Sequence, residues 1–266
     1  MSRAEEAPTA GSSGLQPAYA ATRARLGLVA VLLVLAAIGW WWTIRQMAGM
    51  GSGPWTSLGT FGWFISAWLV MMAAMMFPSV APTVALYSKM SRQTLTSALF
   101  VTGYLLTWTA AGVVAFVVGR LGPAVAGDVA WEQGGRVLTG ATLLLAAAYE
   151  LTPLKHVCLS KCRSPLGLLL GSWRDGRLGA LRMGMRNGAW SVGCCWALMA
   201  SLFALGFMSP LWMVLVAALI AVEKILPWRG AATYSVIAVL VVLGILVIAA
   251  PDVLAGLTMP MQRPMR

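Results

Sequence analysis

Four cysteines occur as two tight pairs, Cys158-Leu-Ser-Lys-Cys162 and the adjacent Cys194-Cys195. Thiolates bind Cu(I) and Zn(II) strongly, and residues four apart on a helix share a face, while residues flanking a turn also converge. The Cys158–Cys162 step is not the shorter one of common zinc ribbons. Lys155, Lys161 and Arg163 flank that pair, and neighbouring cations favour the thiolate, raising metal affinity and redox nucleophilicity alike. A second group of soft donors, Met71, Met72, Met75 and Met76, puts two thioethers on each of two adjacent helix faces. Thioethers suit Cu(I) and cost little to bury. Both groups also have a bland reading, since buried cysteine behaves as a small hydrophobe and methionine as a flexible filler of helix contacts. Because four thioethers accompany four thiols and His156 is the single histidine, Cu(I) fits the donor set better than Zn(II) does.

Other chemistry is thinly represented. Glu150, and Glu223 beside Lys224, fall at the ends of apolar stretches; intramembrane ionisable residues are functional candidates by default, yet at an interface a Glu–Lys pair between helix ends is the expected role. His156 has no nucleophile motif beside it, and no catalytic residue is assigned. No glycine loop of the phosphate-binding kind occurs. Gly184 and Gly188 have small-xxx-small spacing, a common helix-packing pattern. Met47 with Met50, and Met259, Met261 and Met265 near the C-terminus, are further thioethers expected on the opposite membrane side.

The elements that must position these groups are membrane helices. Hydrophobic residues make up 59% of the 266 positions and charged ones 10%, a balance that requires lipid as solvent. Stretches of about 20 apolar residues can span a bilayer, and 26–44, 58–77, 95–119, 137–152, 188–207, 210–226 and 231–250 come close. The expectation is an all-α polytopic transmembrane helix bundle of six to seven spans. Residues 1–25 read as a disordered cytoplasmic tail, 26–250 as the transmembrane domain and 251–266 as a short tail with Met and Arg. The formal charge of +11 is concentrated: seven of the nineteen basic residues lie between the fourth and fifth stretches. A cytoplasmic N-terminus puts fourteen of the nineteen inside, as the positive-inside rule requires. Nucleic acid is not an expected partner, because no aromatic-basic module accompanies the charge.

Thr152 to Asn187 is the one long connection, read as a Cys-bearing loop followed by an amphipathic helix on the inner leaflet, with Leu166, Leu169, Leu170 and Trp173 on one face, the alternative being a cytoplasmic extension of the fifth span. Pro78 and Pro82 are expected to end or kink the second helix. With the second span running inward and the fifth outward, both Cys pairs and the Met group fall at the cytoplasmic end, Cys194 and Cys195 about 10 Å into the fifth helix at about 1.5 Å per residue.

Longer motifs carry a resemblance: Trp68-Leu-Val-Met-Met-Ala-Ala-Met-Met-Phe-Pro78, Tyr149-Glu-Leu-Thr-Pro-Leu-Lys-His-Val-Cys-Leu-Ser-Lys-Cys-Arg-Ser-Pro165, Gly193-Cys-Cys-Trp-Ala-Leu-Met199, and Glu223-Lys224 followed by Pro227. In this order they resemble the DUF2182 family of predicted metal-binding bacterial integral membrane proteins. The resemblance implies a bacterial inner-membrane protein that binds metal through its Cys and Met residues. Members often carry His at the position of Asn187 and a further Cys near Ser191, so this chain lacks two of the ligands that the resemblance implies. The functional expectation is a soft-metal protein, holding Cu(I) for handling, delivery or transport, with the lipid bilayer and a metal-carrier protein as partners. The alternatives are a thiol-redox protein using the paired cysteines, and a non-enzymatic scaffold in which they only pack.

Overall fold

The computed structural model describes residues 15–47, 59–91, 93–126, 131–171, 173–206, 209–226 and 229–249. Among them all regular structure is helical, as the composition requires. The long helices are α1 (Leu15–Met47), α2 (Phe61–Ser91), α3 (Thr94–Ala126), α4 (Trp131–Glu150), α7 (Gly176–Gly206) and α9 (Arg229–Ala249), with the shorter α5 (Pro153–Arg163), α6 (Pro165–Leu170) and α8 (Pro210–Ile225) between them.

Five helices are long and apolar enough to cross a membrane: Leu26–Gln46 of α1, all of α2, Thr94–Leu121 of α3, α7, and Gly230–Ala249 of α9. A sixth crossing exists if Val137–Glu150 and α5, bent by 69° at their junction, count as one broken span. The seven apolar stretches therefore reduce to five or six spans among the described residues. The stretch at 210–226 folds as α8, and a 16-residue helix falls short of the roughly 20 residues a perpendicular crossing needs.

Two helices form the centre. In their most apolar stretches 56% of α2 and 61% of α7 is buried, against 22% for α1 and α3, so the outer helices present Leu, Val and Ile to lipid, among them Val31, Val34, Val114 and Val118. The largest helix pairings are α3 with α7, α1 with α2, α4 with α9 and α2 with α3. Packing in lipid relies on close backbone approach at small residues, and α3 meets α7 in that way: a Cβ at Gly184 would strike the Phe100 carbonyl, and one at Gly103 the Leu181 carbonyl. The small-residue spacing around Gly184 and Gly188 is thus part of a helix crossing. Trp68 closes the α2–α3 contact by donating its indole N–H to the Trp108 carbonyl at 2.8 Å.

Several local expectations change. Helix α1 begins at Leu15, within the segment read as a tail; residues 1–14 and 250–266, with Met50, Met259, Met261 and Met265, lie outside the described residues. Helix α2 continues through Pro78 and Pro82 to Ser91, leaving the carbonyls four residues before each proline without their usual N–H. The amphipathic segment is divided: α6 ends at Leu170, Gly176 takes a positive φ of 82°, and Arg177 to Asn187 continue into the fifth stretch as one helix, α7. Of the apolar face expected there, Leu169 is buried while Leu166 and Leu170 are exposed.

Candidate metal centre

Helix α5 exists because its start is well specified. Thr152 is an N-cap whose side chain accepts from the Lys155 N–H at 3.3 Å, and Pro153 occupies the first turn, where its missing N–H costs nothing. The cysteines expected in a loop therefore stand on a helix. Lys155, Cys158 and Leu159 are buried along one stripe with Cys162 partly buried below them, while Leu154, His156 and Val157 face outward. Successive steps of three and four residues keep that stripe on one side, and α5 lays it against α7.

On α7 the adjacent Cys194 and Cys195 are both buried. The Cys162 sulfur is 3.6 Å from that of Cys194, which is 3.3 Å from that of Cys195. The Cys194 thiol also donates to the Ser191 carbonyl at 3.2 Å. Cys158 rests on Gly193, where an added Cβ would come to 2.8 Å from its sulfur. A side chain at Gly193 would force the Cys158 sulfur to shift. All four cysteines are free thiols.

Met71, Met72, Met75 and Met76 are buried on both of their helix faces and belong to the same apolar core as Cys158, Cys194 and Cys195. Met76 comes nearest in polar terms: its sulfur is 3.6 Å from the Lys224 Nζ, which donates to Ser191 at 3.1 Å and lies 3.5 Å from the Ser79 hydroxyl. Ser191 in turn shares a 2.9 Å hydrogen bond with the buried Tyr104 hydroxyl. The two sulfur groups are thus linked through Lys224 and Ser191. Among the described residues no set of three or more His, Cys, Asp or Glu side chains is arranged to hold a metal ion.

The sequence alone misplaces one group. Lys155, which its neighbours in the chain assign to the loop cations, is fully buried, and its ammonium donates to Glu150 Oε1 at 2.6 Å, Glu223 Oε2 at 2.7 Å and the Cys194 carbonyl at 2.7 Å. Its three donors are all used. The Glu–Lys pairing expected between helix ends is present, with Lys155 rather than Lys224 as its cation and both carboxylates engaged. This triad ties α4, α5 and α8 to the backbone of α7 at Cys194. Helical spacing could have revealed it, because Lys155 stands three residues before Cys158 and seven before Cys162, on the same stripe. Tyr149 and Arg163 add fastenings, donating to the Gly193 carbonyl and the Leu226 carbonyl, each at 2.6 Å. His156, facing away from the sulfurs, has no part in the cluster.

Asn187 and Ser191, the positions where the resemblance implies two further ligands, are buried one turn apart on the helix that carries Cys194 and Cys195. Ser191 contributes its hydroxyl to Lys224 and its carbonyl to Cys194, so it organises the cluster without a sulfur of its own.

No curated protein and no solved structure matches the sequence significantly. A family model described as PpoB2, copper chaperone, matches residues 65–247, which takes in α5, α8, the Met group of α2, both Cys pairs and most of α9. With more than half of the chain covered, and with the spans that a membrane protein requires, the chain belongs to the PpoB2 copper-chaperone family.

Proposed function

We propose that the chain holds a cuprous ion at the junction of α5, α7 and α2 and passes it to a metal-carrier protein. Cys158, Cys162, Cys194 and Cys195 supply the thiols, with Met71, Met72, Met75 and Met76 of the same buried core as the thioethers. The observation that carries this reading is the meeting of Cys162 with the Cys194–Cys195 pair across two helices. Sulfurs 3.6 Å apart match the edge of about 3.7 Å in a tetrahedral set with metal–sulfur bonds of about 2.3 Å. Soft thiolates and thioethers select Cu(I) among the first-row ions, and a cuprous ion accepts as few as two such donors. The basic residues of the inner loops support a bacterial inner-membrane location with the N-terminus in the cytoplasm, which would put hand-over on the cytoplasmic side.

Purified protein in detergent, reduced and kept anaerobic, is loaded with Cu(I) beside a variant with all four cysteines changed to serine. Copper retained by the parent and lost by the variant is the expected outcome; equal retention, or none in either, contradicts the proposal.

Thiol exchange is the second reading, favoured by the same short sulfur separations. A disulfide between adjacent cysteines is strained and hence oxidising. If exchange is the function, the reduced chain reduces a disulfide-bonded partner, its own cysteines becoming the disulfide, and Cys194→Ser abolishes that exchange. If copper handling is the function, that partner is left unreacted by parent and variant alike.

A further inference from the structure

The two lysines near the sulfurs stand in opposite electrostatic settings. Lys155 is shared by two carboxylates, so its charge and theirs offset each other at close range. Lys224 has no carboxylate within salt-bridge distance among the described residues; its polar neighbours are the hydroxyls of Ser191 and Ser79 and the Met76 thioether, at 3.1, 3.5 and 3.6 Å. All three are formally neutral. The same ammonium lies within electrostatic reach of the thiols of Cys194, Cys195 and Cys162. Ser191 joins the two directly, accepting from Lys224 on its hydroxyl and from the Cys194 thiol on its carbonyl. The Lys224 ammonium is therefore separated from the Cys194 thiol by a single residue, Ser191, to which both hydrogen-bond.

Such a charge has a calculable effect on ion choice. Repulsion between it and a bound ion is proportional to the ion's charge, whereas its support of the thiolates aids both ions alike, so neutralising it shifts relative affinity toward the divalent ion in the same sulfur set. We infer that Lys224 is a specificity-determining residue of the sulfur cluster, admitting monovalent soft ions while disfavouring divalent ones, and keeping the monovalent ion exchangeable for transfer. This is discrimination by a built-in repulsive element rather than by better contacts. It rests on the cuprous reading above.

Ag(I) serves as a stable monovalent probe and Cd(II) as a thiophilic divalent one. Each is titrated by chelator competition, at one pH, into the reduced full-length protein and its Lys224→Met, Lys224→Gln and Lys224→Arg variants. Lys224→Met keeps the length and apolar stem of the side chain, and Lys224→Gln keeps a donor for the hydroxyls if the methionine variant fails to fold. In a neutral variant the Cd(II)-to-Ag(I) affinity ratio is expected to rise about tenfold, whichever way Ag(I) affinity itself moves, while Lys224→Arg preserves the parent's ratio. Equal factors for the two ions, or an arginine variant that behaves like the neutral ones, overturn the inference and leave Lys224 a packing residue. If the parent binds neither probe through its cysteines, the cuprous reading itself has failed and this inference falls with it; Cys-dependent binding with an unchanged ratio overturns the charge filter alone.

Discussion

At Cys194 three kinds of contact meet: a neighbouring thiol from α5, a thiol one residue along α7, and the Lys155 ammonium on its carbonyl. The Cys158–Cys162 step gives a shared face only once its segment is helical, and the Cys194–Cys195 pair is legible because its members adjoin. Spacing places Lys155 on the stripe of Cys158 and Cys162, but its burial is not legible, because charge ordinarily signals exposure and only tertiary packing brings Glu150 and Glu223 to it. Removing the ammonium leaves two carboxylates buried, and breaking such a pair costs about 3–5 kcal/mol. Lys155→Met is therefore expected to unfold at markedly lower denaturant, measured by helicity loss in mixed micelles, while Lys161→Met, on the exposed side of α5, is expected to be neutral. The methionines separate packing from ligation. Met76→Leu conserves volume and should cost less than about 1.5 kcal/mol in the same assay, yet weaken Cu(I) retention about tenfold if its thioether is a ligand. Retention equal to the parent's would assign Met76 to packing.

Helices α5 and α7 show why elements are partly legible. Apolar runs of the right length give the long helices, and the Thr152-Pro153 cap and first-turn signal for α5 is present in the sequence. It is outweighed by the short, basic, weakly apolar character of residues 154–163, and a helix of 11 residues owes its stability to the surface it packs on. The extension of α7 is only the alternative in the sequence for a related reason: its first turns carry Arg177, Arg182 and Arg186, but glycines at 184 and 188 bring it flush against α3. That crossing predicts its own failure. Gly184→Ala places a methyl against the Phe100 backbone, which cannot yield as a side chain does, and should cost at least about 1–3 kcal/mol, seen as a lower melting temperature, whereas Ala at Gly27, which has open space around it, should change nothing.

For the molecule as a whole, the arrangement is an inner pair of helices, α2 and α7, carrying the Met group and the Cys194–Cys195 pair, with α5 bringing Cys158 and Cys162 to them and outer helices whose exposed faces suit lipid. In the proposed orientation α5 lies toward the cytoplasm, and in a chain with its native cysteines changed to serine, Ser160→Cys on the exposed face of α5 should react with an impermeant maleimide only after the inner face is opened. Labelling of intact cells would reverse the proposed orientation. The central claim is that the α5–α7–α2 junction binds Cu(I) through sulfur, and X-ray absorption of the copper-loaded protein tests it most directly. A sulfur-only shell that is lost in the Cys162→Ser, Cys194→Ser double variant is the predicted result; a nitrogen and oxygen shell, or one unchanged in that variant, would contradict it.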